Sequence, residues 1–322
     1  MKLSFTCISI VLLIVLAGMQ MEGCKSKSTV SPLMPTPTFT ATVIPVTIYC
    51  GSCGSGNGQF NMPADIGISP SGYLYVADNR NYRVQELSLA CGFVRTWGSL
   101  GTGDGQFYDK GYGTDGPVGL RFDANGNVFV CDYLYSVQKF DASGNFIKKI
   151  SNPYVRDVTV DKTTGDVYCS GFNQMVFHYD NNLNFITSWG SSGTANNQFT
   201  SLTCIEIDST HGWLYCGDMG NCRIKKFDTA GNYITCFGGS TPATQTTSTA
   251  IDIALDSADE VYISSLGDRK VDKYDPTGNH LMTWSFPAGP TGLAIDSSGW
   301  MYVALITTCQ IAKVSSTGGS LP

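Results

Sequence analysis

Gly54-Ser55-Gly56-Asn57-Gly58-Gln59-Phe60 is echoed by Gly101-Thr102-Gly103-Asp104-Gly105-Gln106-Phe107, and a degenerate copy stands at Thr194-Ala195-Asn196-Asn197-Gln198-Phe199. A string that returns at a period of about 40–50 residues marks stacked copies of one supersecondary unit. Each string opens a unit whose parts come in a fixed order. An apolar stretch (Ile66-Gly67-Ile68) ends in a turn, and an aromatic strand comes next (Tyr73-Leu74-Tyr75-Val76-Ala77-Asp78). A polar loop, an alternating strand from Arg83, a second turn and a strand closing on Trp97-Gly98 complete the unit. The apolar stretch recurs at Leu120, Val158, Ile205, Ile253 and Leu293, which makes six units. Each unit reads as four short strands rich in β-branched and aromatic residues and punctuated by Gly, Asn and Asp. Four-stranded units at this period predict an all-β chain, a six-bladed β-propeller.

The last unit has only three strands before the chain stops at Pro322. Val46-Thr47-Ile48-Tyr49, continuing into Cys50-Gly51-Ser52, stands where fourth strands stand elsewhere, as in Phe93 to Ser99 and Phe185 to Ser191. The N-terminal strand is therefore expected to complete the last blade and remove both sheet edges. The run Gly-Asn-Gly-Gln-Phe60 through Leu74-Tyr75-Val76-Ala77-Asp78-Asn79-Arg80-Asn81-Tyr82-Arg83-Val84 resembles the NHL repeat family of six-bladed propellers. The unit over 152–193 departs most, lacking the glycine string and the Asn-x-Arg element.

A net charge of −6 and a sequence without a Lys/Arg cluster argue against nucleic-acid binding, which needs a basic face. Lys2 followed by an uncharged apolar run to Met21 has the design of a signal peptide. Gly23-Cys24 resembles a bacterial lipobox, which makes Cys24 the expected lipidation site. The Ser/Thr/Pro-rich stretch from Lys25 to Pro45 cannot bury a core and reads as an extended spacer. The expected organisation is a signal peptide at 1–23, an anchor and linker at 24–45, and a propeller at 46–322. The protein is thus expected to be exported and tethered to a membrane at the cell envelope.

Of twelve cysteines, Cys7 and Cys24 precede the propeller and ten lie within it. Cys131, Cys169 and Cys216 end second strands and read as small buried hydrophobes. Cys50-Gly51-Ser52-Cys53 has redox or zinc spacing but lacks the helix and the second Cys pair such sites use. Asp123, Asp161, Asp208, Asp256 and Asp296 each follow an apolar strand and open a turn, where a carboxylate accepts from the backbone two residues on. The glycine string has strands on both sides and no helix after it, so it reads as a link between blades, with Gln59-Phe60 plugging the seam.

Some propellers that this chain resembles are metal-dependent lyases, which use several channel-facing histidines. Here His178, His211 and His280 fall in an outer strand and two separate turns. No catalytic residue, cofactor or metal ligand set is assigned. In an up-and-down blade the tight Asp turns share one face, and the opposite face carries the variable loops where binding residues usually sit. That face presents Arg80, Tyr82, Tyr133, Tyr135, Phe172 and Arg269. Its longest insertion, between Phe107 and Pro117, adds Tyr108, Asp109, Lys110, Tyr112 and Asp115. Aromatics mixed with charges suit a protein or glycan partner. The leading expectation is a monomeric, non-catalytic binding scaffold. The alternative is a lyase or lactonase-like hydrolase that holds a divalent cation on channel-facing carboxylates.

Overall fold

Six antiparallel four-stranded sheets succeed one another along the chain. The computed structural model describes residues 47–109, 111, 116–219, 224–238 and 250–317; the expected lipidation site Cys24 and the loop residues Lys110, Tyr112 and Asp115 lie outside these. Blade 1 runs Pro63–Ile68, Tyr73–Asp78, Arg83–Ser88 and Phe93–Trp97, paired in that order. The first strands of blades 2 to 6 are Pro117–Phe122, Val155–Val160, Leu202–Asp208, Ala250–Leu255 and Pro290–Ile295. Each first strand packs against the first strands of both neighbours, and that of blade 6 returns to blade 1. The result is a closed six-bladed propeller. Blade 3, despite its divergent sequence, has all four strands.

Closure is made as the strand count predicts. Ile48–Cys50 pairs antiparallel with Gln310–Ser315 on the last blade, with Tyr49 opposite Ala312. Two disulfides fasten this strand and the residues just after it, Cys50–Cys91 to blade 1 and Cys53–Cys309 to blade 6. Cys50 and Cys53 therefore bond to different partners, which ends the redox and zinc readings of their spacing. Cys131, Cys169, Cys204 and Cys216 are free and buried, and Cys236 is disulfide-bonded.

The glycine string folds back on itself. Gly54 N–H donates to Phe60 O at 3.0 Å, and Gln59 Oε1 accepts from Gly56 N–H at 3.0 Å. The second copy repeats this at Gly101 to Phe107 (2.9 Å) and Gly103 to Gln106 (2.9 Å). The hairpin delivers Phe60, Phe107 and Phe199 into the interblade seams, each at most 1 % exposed. At Gly98, with φ of +99°, a Cβ would lie 2.5 Å from the Phe107 ring, so both the backbone and the plug demand glycine.

The seams are also lined by one aromatic per second strand, which in blades 2, 4, 5 and 6 faces a lysine on the third. Lys139 sits over Phe129 at 4.9 Å, Lys273 over Tyr262 at 5.0 Å and Lys313 over Tyr302 at 5.0 Å. Long stems pack on the rings while the ammonium groups reach polar partners at the rim.

Candidate functional site

The channel is built by one bulged position in each first strand. Register shifts fall between Pro63 and Asp65, Pro117 and Gly119, Val155 and Asp157, Leu202 and Ile205, Ala250 and Ile253, and Pro290 and Leu293. The third residues are, in blade order, Asp65, Gly119, Asp157, Cys204, Asp252 and Gly292. Acids and small residues alternate round the ring, and the geometry says why. Each bulge frees backbone N–H groups, and each carboxylate caps two of them. Asp65 accepts from Ile66 N–H and from Leu120 N–H of the next blade, both at 2.7 Å. Asp157 does the same for Val158 (2.8 Å) and Ile205 (3.0 Å), and Asp252 for Ile253 (2.8 Å) and Leu293 (2.7 Å). The residue between two acids must be small: a Cβ on Gly119 would meet Asp157 Oδ1 at 2.6 Å.

Three buried carboxylates in one channel need a counter-charge. Arg121, two residues beyond the small position of blade 2, supplies it. Its Nη1 donates to Asp65 Oδ2 at 2.8 Å, its Nε to Glu206 Oε2 at 2.7 Å and its Nη2 to Asp252 Oδ1 at 2.8 Å. Nη1 also reaches Leu120 O at 2.8 Å. The planar fork thus ties blades 1, 2, 4 and 5 together across the axis. It divides the channel into a small cavity of about 100 Å³ on the tight-turn face and a larger one of about 240 Å³ on the variable-loop face.

Asp157 is the acid that Arg121 does not bond directly. Burial pushes its carboxyl up to about 7, with the Arg121 charge pulling down and Asp252 adding to the rise. Burial likewise raises Asp65 to about 6 against the pull of Arg121. Asp252 is pushed well above the usual carboxylate range by burial, again opposed by Arg121.

The larger cavity opens among the loops. Its walls are mostly apolar, with Met62, Val118, Ile251, Leu266 and Ile306, and its floor carries Asp65, Asp157 and Asp252. Arg156 also lines it, with its guanidinium 5.7 Å from the Phe172 ring centroid. Among the described residues Arg156 forms no ion pair. An apolar well with a carboxylate and a guanidinium in it is a ligand-type environment.

The loop residues expected to face a partner divide into two groups. Tyr133 lines the cavity, and Phe172, 49 % exposed, supports Arg156 at its edge. Arg80 and Arg269 are exposed on the same face. Others contact one another: Tyr82 OH donates to Asp109 Oδ2 at 2.7 Å, and the Tyr108 and Tyr135 ring centroids lie 4.5 Å apart. These two contacts dock the insertion onto blades 1 and 2. Asp65, Asp157, Asp252, Arg121, Glu206 and Arg156 were not singled out from sequence. Their signal is the alternation of acid and small residues one place before each apolar stretch. The turn aspartates behave as read: Asp123 Oδ1 accepts from Asn125 N–H at 3.0 Å, and Asp296 Oδ1 from Ser298 N–H at 2.9 Å. None of the three histidines lines either channel cavity.

A family model for the NHL repeat matches residues 60–87. No curated protein matches the chain in sequence. Among solved structures, a streptogramin B lyase is similar at a TM-score of 0.60 and 12 % identity, covering 86 % of this chain and 99 % of that one. A gluconolactonase from Xanthomonas campestris is similar at 0.60 and 13 %, covering 80 % and 87 %. A protein of unknown function from Bacteroides thetaiotaomicron gives 0.61 and 16 %, covering 84 % and 76 %. At these identities the likeness concerns the fold. With the matched repeat set in a closed ring of six four-stranded blades, the chain is a six-bladed β-propeller that carries an NHL repeat.

Proposed function

We propose that the protein is an exported, lipid-anchored propeller that serves as a protein- or glycan-binding scaffold at the cell envelope, with the channel mouth as the seat for its ligand. The observation that carries this reading is the pair Arg156 and Asp157 in an apolar well of about 240 Å³. Arg156 offers a donor fork above an acidic floor, and the well has room for one large side chain or one sugar ring. The partner therefore inserts an amphipathic group and rests on the surrounding loops, where Phe172 and Tyr133 add aromatic surface. Disulfides at Cys50–Cys91 and Cys53–Cys309 favour an oxidising compartment and so favour export. Among the described residues no helix is long and apolar enough to cross a membrane; attachment is assigned to Cys24.

The test is differential capture. The whole chain and its Val118→Trp variant, which fills the well, are used as baits on envelope extract. A partner held by the first and lost by the second supports the reading. Equal recovery by both baits removes the channel mouth from it.

The enzymatic alternative draws on the lyase and lactonase names of two structural neighbours. Channel-facing carboxylates are present, as that alternative requires. Their donor chemistry does not fit a divalent cation, because Arg121 already takes Asp65, Asp252 and Glu206. The remaining oxygens of the three aspartates accept backbone N–H groups. A side chain fills the role the cation would have, and binding is the better supported reading.

A further inference from the structure

On the tight-turn face, away from the channel mouth, Asp208, His211 and Asp259 bring three ligand-type atoms within 4.8 Å of one another. His211 Nδ1 is 2.7 Å from Asp208 Oδ2 and 3.6 Å from Asp259 Oδ2. Asp208 and His211 belong to the turn after the first strand of blade 4, and Asp259 to the corresponding turn of blade 5. The sequence alone placed His211 in a turn with nothing converging on it, because its second partner comes from the next repeat.

Blade 4 differs here from blades 5 and 6. In blades 5 and 6 the second-strand tyrosine donates to the aspartate that opens the turn, Tyr262 to Asp256 Oδ2 at 2.9 Å and Tyr302 to Asp296 Oδ2 at 3.2 Å. In blade 4 the equivalent oxygen, Asp208 Oδ2, faces His211 instead. The Tyr215 side chain is fully buried, and among the described residues its hydroxyl has no hydrogen-bond partner. Asp208 and Asp259 are the charges that act on this hydroxyl. A buried polar group left unpaired beside a cluster of ligand-type atoms points to a missing component. Asp259 adds a second departure. It takes a left-handed φ of 59° at the turn position where Gly72, Gly126 and Gly299 have φ of 79°, 82° and 79°.

We propose that Asp208, His211 and Asp259 bind one first-row divalent cation of the zinc class, and that a metal-bound water is the partner the Tyr215 hydroxyl lacks. Two carboxylate oxygens and one imidazole nitrogen leave one position of a tetrahedral shell for that water. Imidazole suits zinc, nickel and copper better than calcium or magnesium. The Lys226 ammonium, 3.1 Å from the Trp213 ring centroid, lies in the field of Asp208 and Asp259. It offsets one of the two negative charges and leaves the other for the cation. His211 stacks on Trp213 with ring centroids 4.5 Å apart, so the site carries its own optical reporter.

The test titrates the whole chain with Zn²⁺ and, separately, with Ni²⁺. Zinc is followed by calorimetry and thermal unfolding, nickel by quenching of tryptophan fluorescence. The expected result is a zinc-dependent rise in Tm, together with partial nickel quenching. His211→Asn weakens zinc at least tenfold and removes the nickel quenching. Asp259→Gly does the same while keeping or raising the Tm of the metal-free protein, since glycine is what the other blades use at that backbone position. This second variant separates loss of a ligand from loss of the fold. Zinc binding and nickel quenching that are unchanged in both variants would overturn the proposal, as would no response to zinc at millimolar concentration.

Discussion

Arg121 Nη2 lies 2.8 Å from Asp252 Oδ1, a bond thrown across the channel between residues 131 positions apart in the chain. Together with the contacts to Asp65 and Glu206, it makes one guanidinium the common counter-ion of three blades besides its own. The ring is thus held at its axis by charge as well as at its rim by disulfides. The two devices fail under different conditions.

Removing the guanidinium leaves the acids buried without their counter-charge. Arg121→Met is expected to lose about 3–5 kcal/mol of stability at pH 8, the usual cost of breaking one side of a buried ion pair. The loss shrinks near pH 4.5, where the carboxylates bind protons. Arg121→Lys does not restore the wild-type value, because an ammonium cannot direct planar donors at three carboxylates at once. Urea unfolding of the three proteins at the two pH values decides this. A loss independent of pH contradicts it.

Asp65 and Asp157 give the fold a characteristic pH dependence. Their folded values, about 6 and about 7, lie above the ordinary carboxylate value of 3.8. Between 3.8 and about 7 the folded state therefore holds protons that the unfolded chain has released. By linkage, stability falls as pH rises through this window. Turn aspartates such as Asp141, Asp180 and Asp275 are shifted the other way by their Asn and Thr partners, so their contribution is lost only as pH falls below the ordinary carboxylate range. The unfolding midpoint of the wild type is expected to drop from pH 5 to pH 8, with a shallower drop in Asp157→Asn. Equal slopes would mean that Asp157 titrates normally.

The fold was legible because every blade restates it: apolar stretch, Asp turn, aromatic strand. The closing strand was legible because a three-stranded last unit needs a fourth. The channel was not, for a physical reason. Asp65, Asp157 and Asp252 look alike as single residues, and their meaning lies in alternating with Gly119, Cys204 and Gly292 round a ring. Arg121 is harder still. The same position holds Gly67, Thr159, Glu206, Ala254 and Ala294 in the other blades, so no periodicity announces it. Tyr82 and Asp109 sit in variable loops 27 positions apart, and nothing in their spacing announces that they meet. In the structure the Tyr82 hydroxyl donates to Asp109 Oδ2. Residues far apart in sequence become neighbours only through the ring closure that a one-dimensional reading does not measure.

Alternation of acid and small residue carries its own prediction. A Cβ on Gly292 would lie 2.5 Å from both Asp65 Cα and Ile66 N, which are backbone atoms with no room to yield. Gly292→Ala is expected to cost about 2–3 kcal/mol, in the range of core overpacking. Gly58 is the control: its φ is +72° but no atom lies within 4 Å of the added Cβ. Gly58→Ala is expected to cost about 1–2 kcal/mol from the left-handed backbone alone. Chemical denaturation ranks the two. The reverse order would show that the seam between blades 6 and 1 relaxes freely.

The two disulfides at the ring closure close loops of different length, 41 residues for Cys50–Cys91 and 256 for Cys53–Cys309. Restriction of the unfolded chain makes the longer closure worth more, about 5.5 against about 4 kcal/mol in the chain-entropy view. The double variant Cys53→Ser with Cys309→Ser is therefore expected to lower the urea midpoint more than Cys50→Ser with Cys91→Ser. The longer bridge also joins the segment after the closing strand directly to blade 6, so its removal should expose Ile48–Cys50 to protease before the rest of the domain. Removal of the shorter bridge frees that strand from blade 1 but leaves the Cys53–Cys309 connection in place. Early cleavage in the Cys50/Cys91 variant but not in the Cys53/Cys309 variant would reverse the assignment of the main clasp.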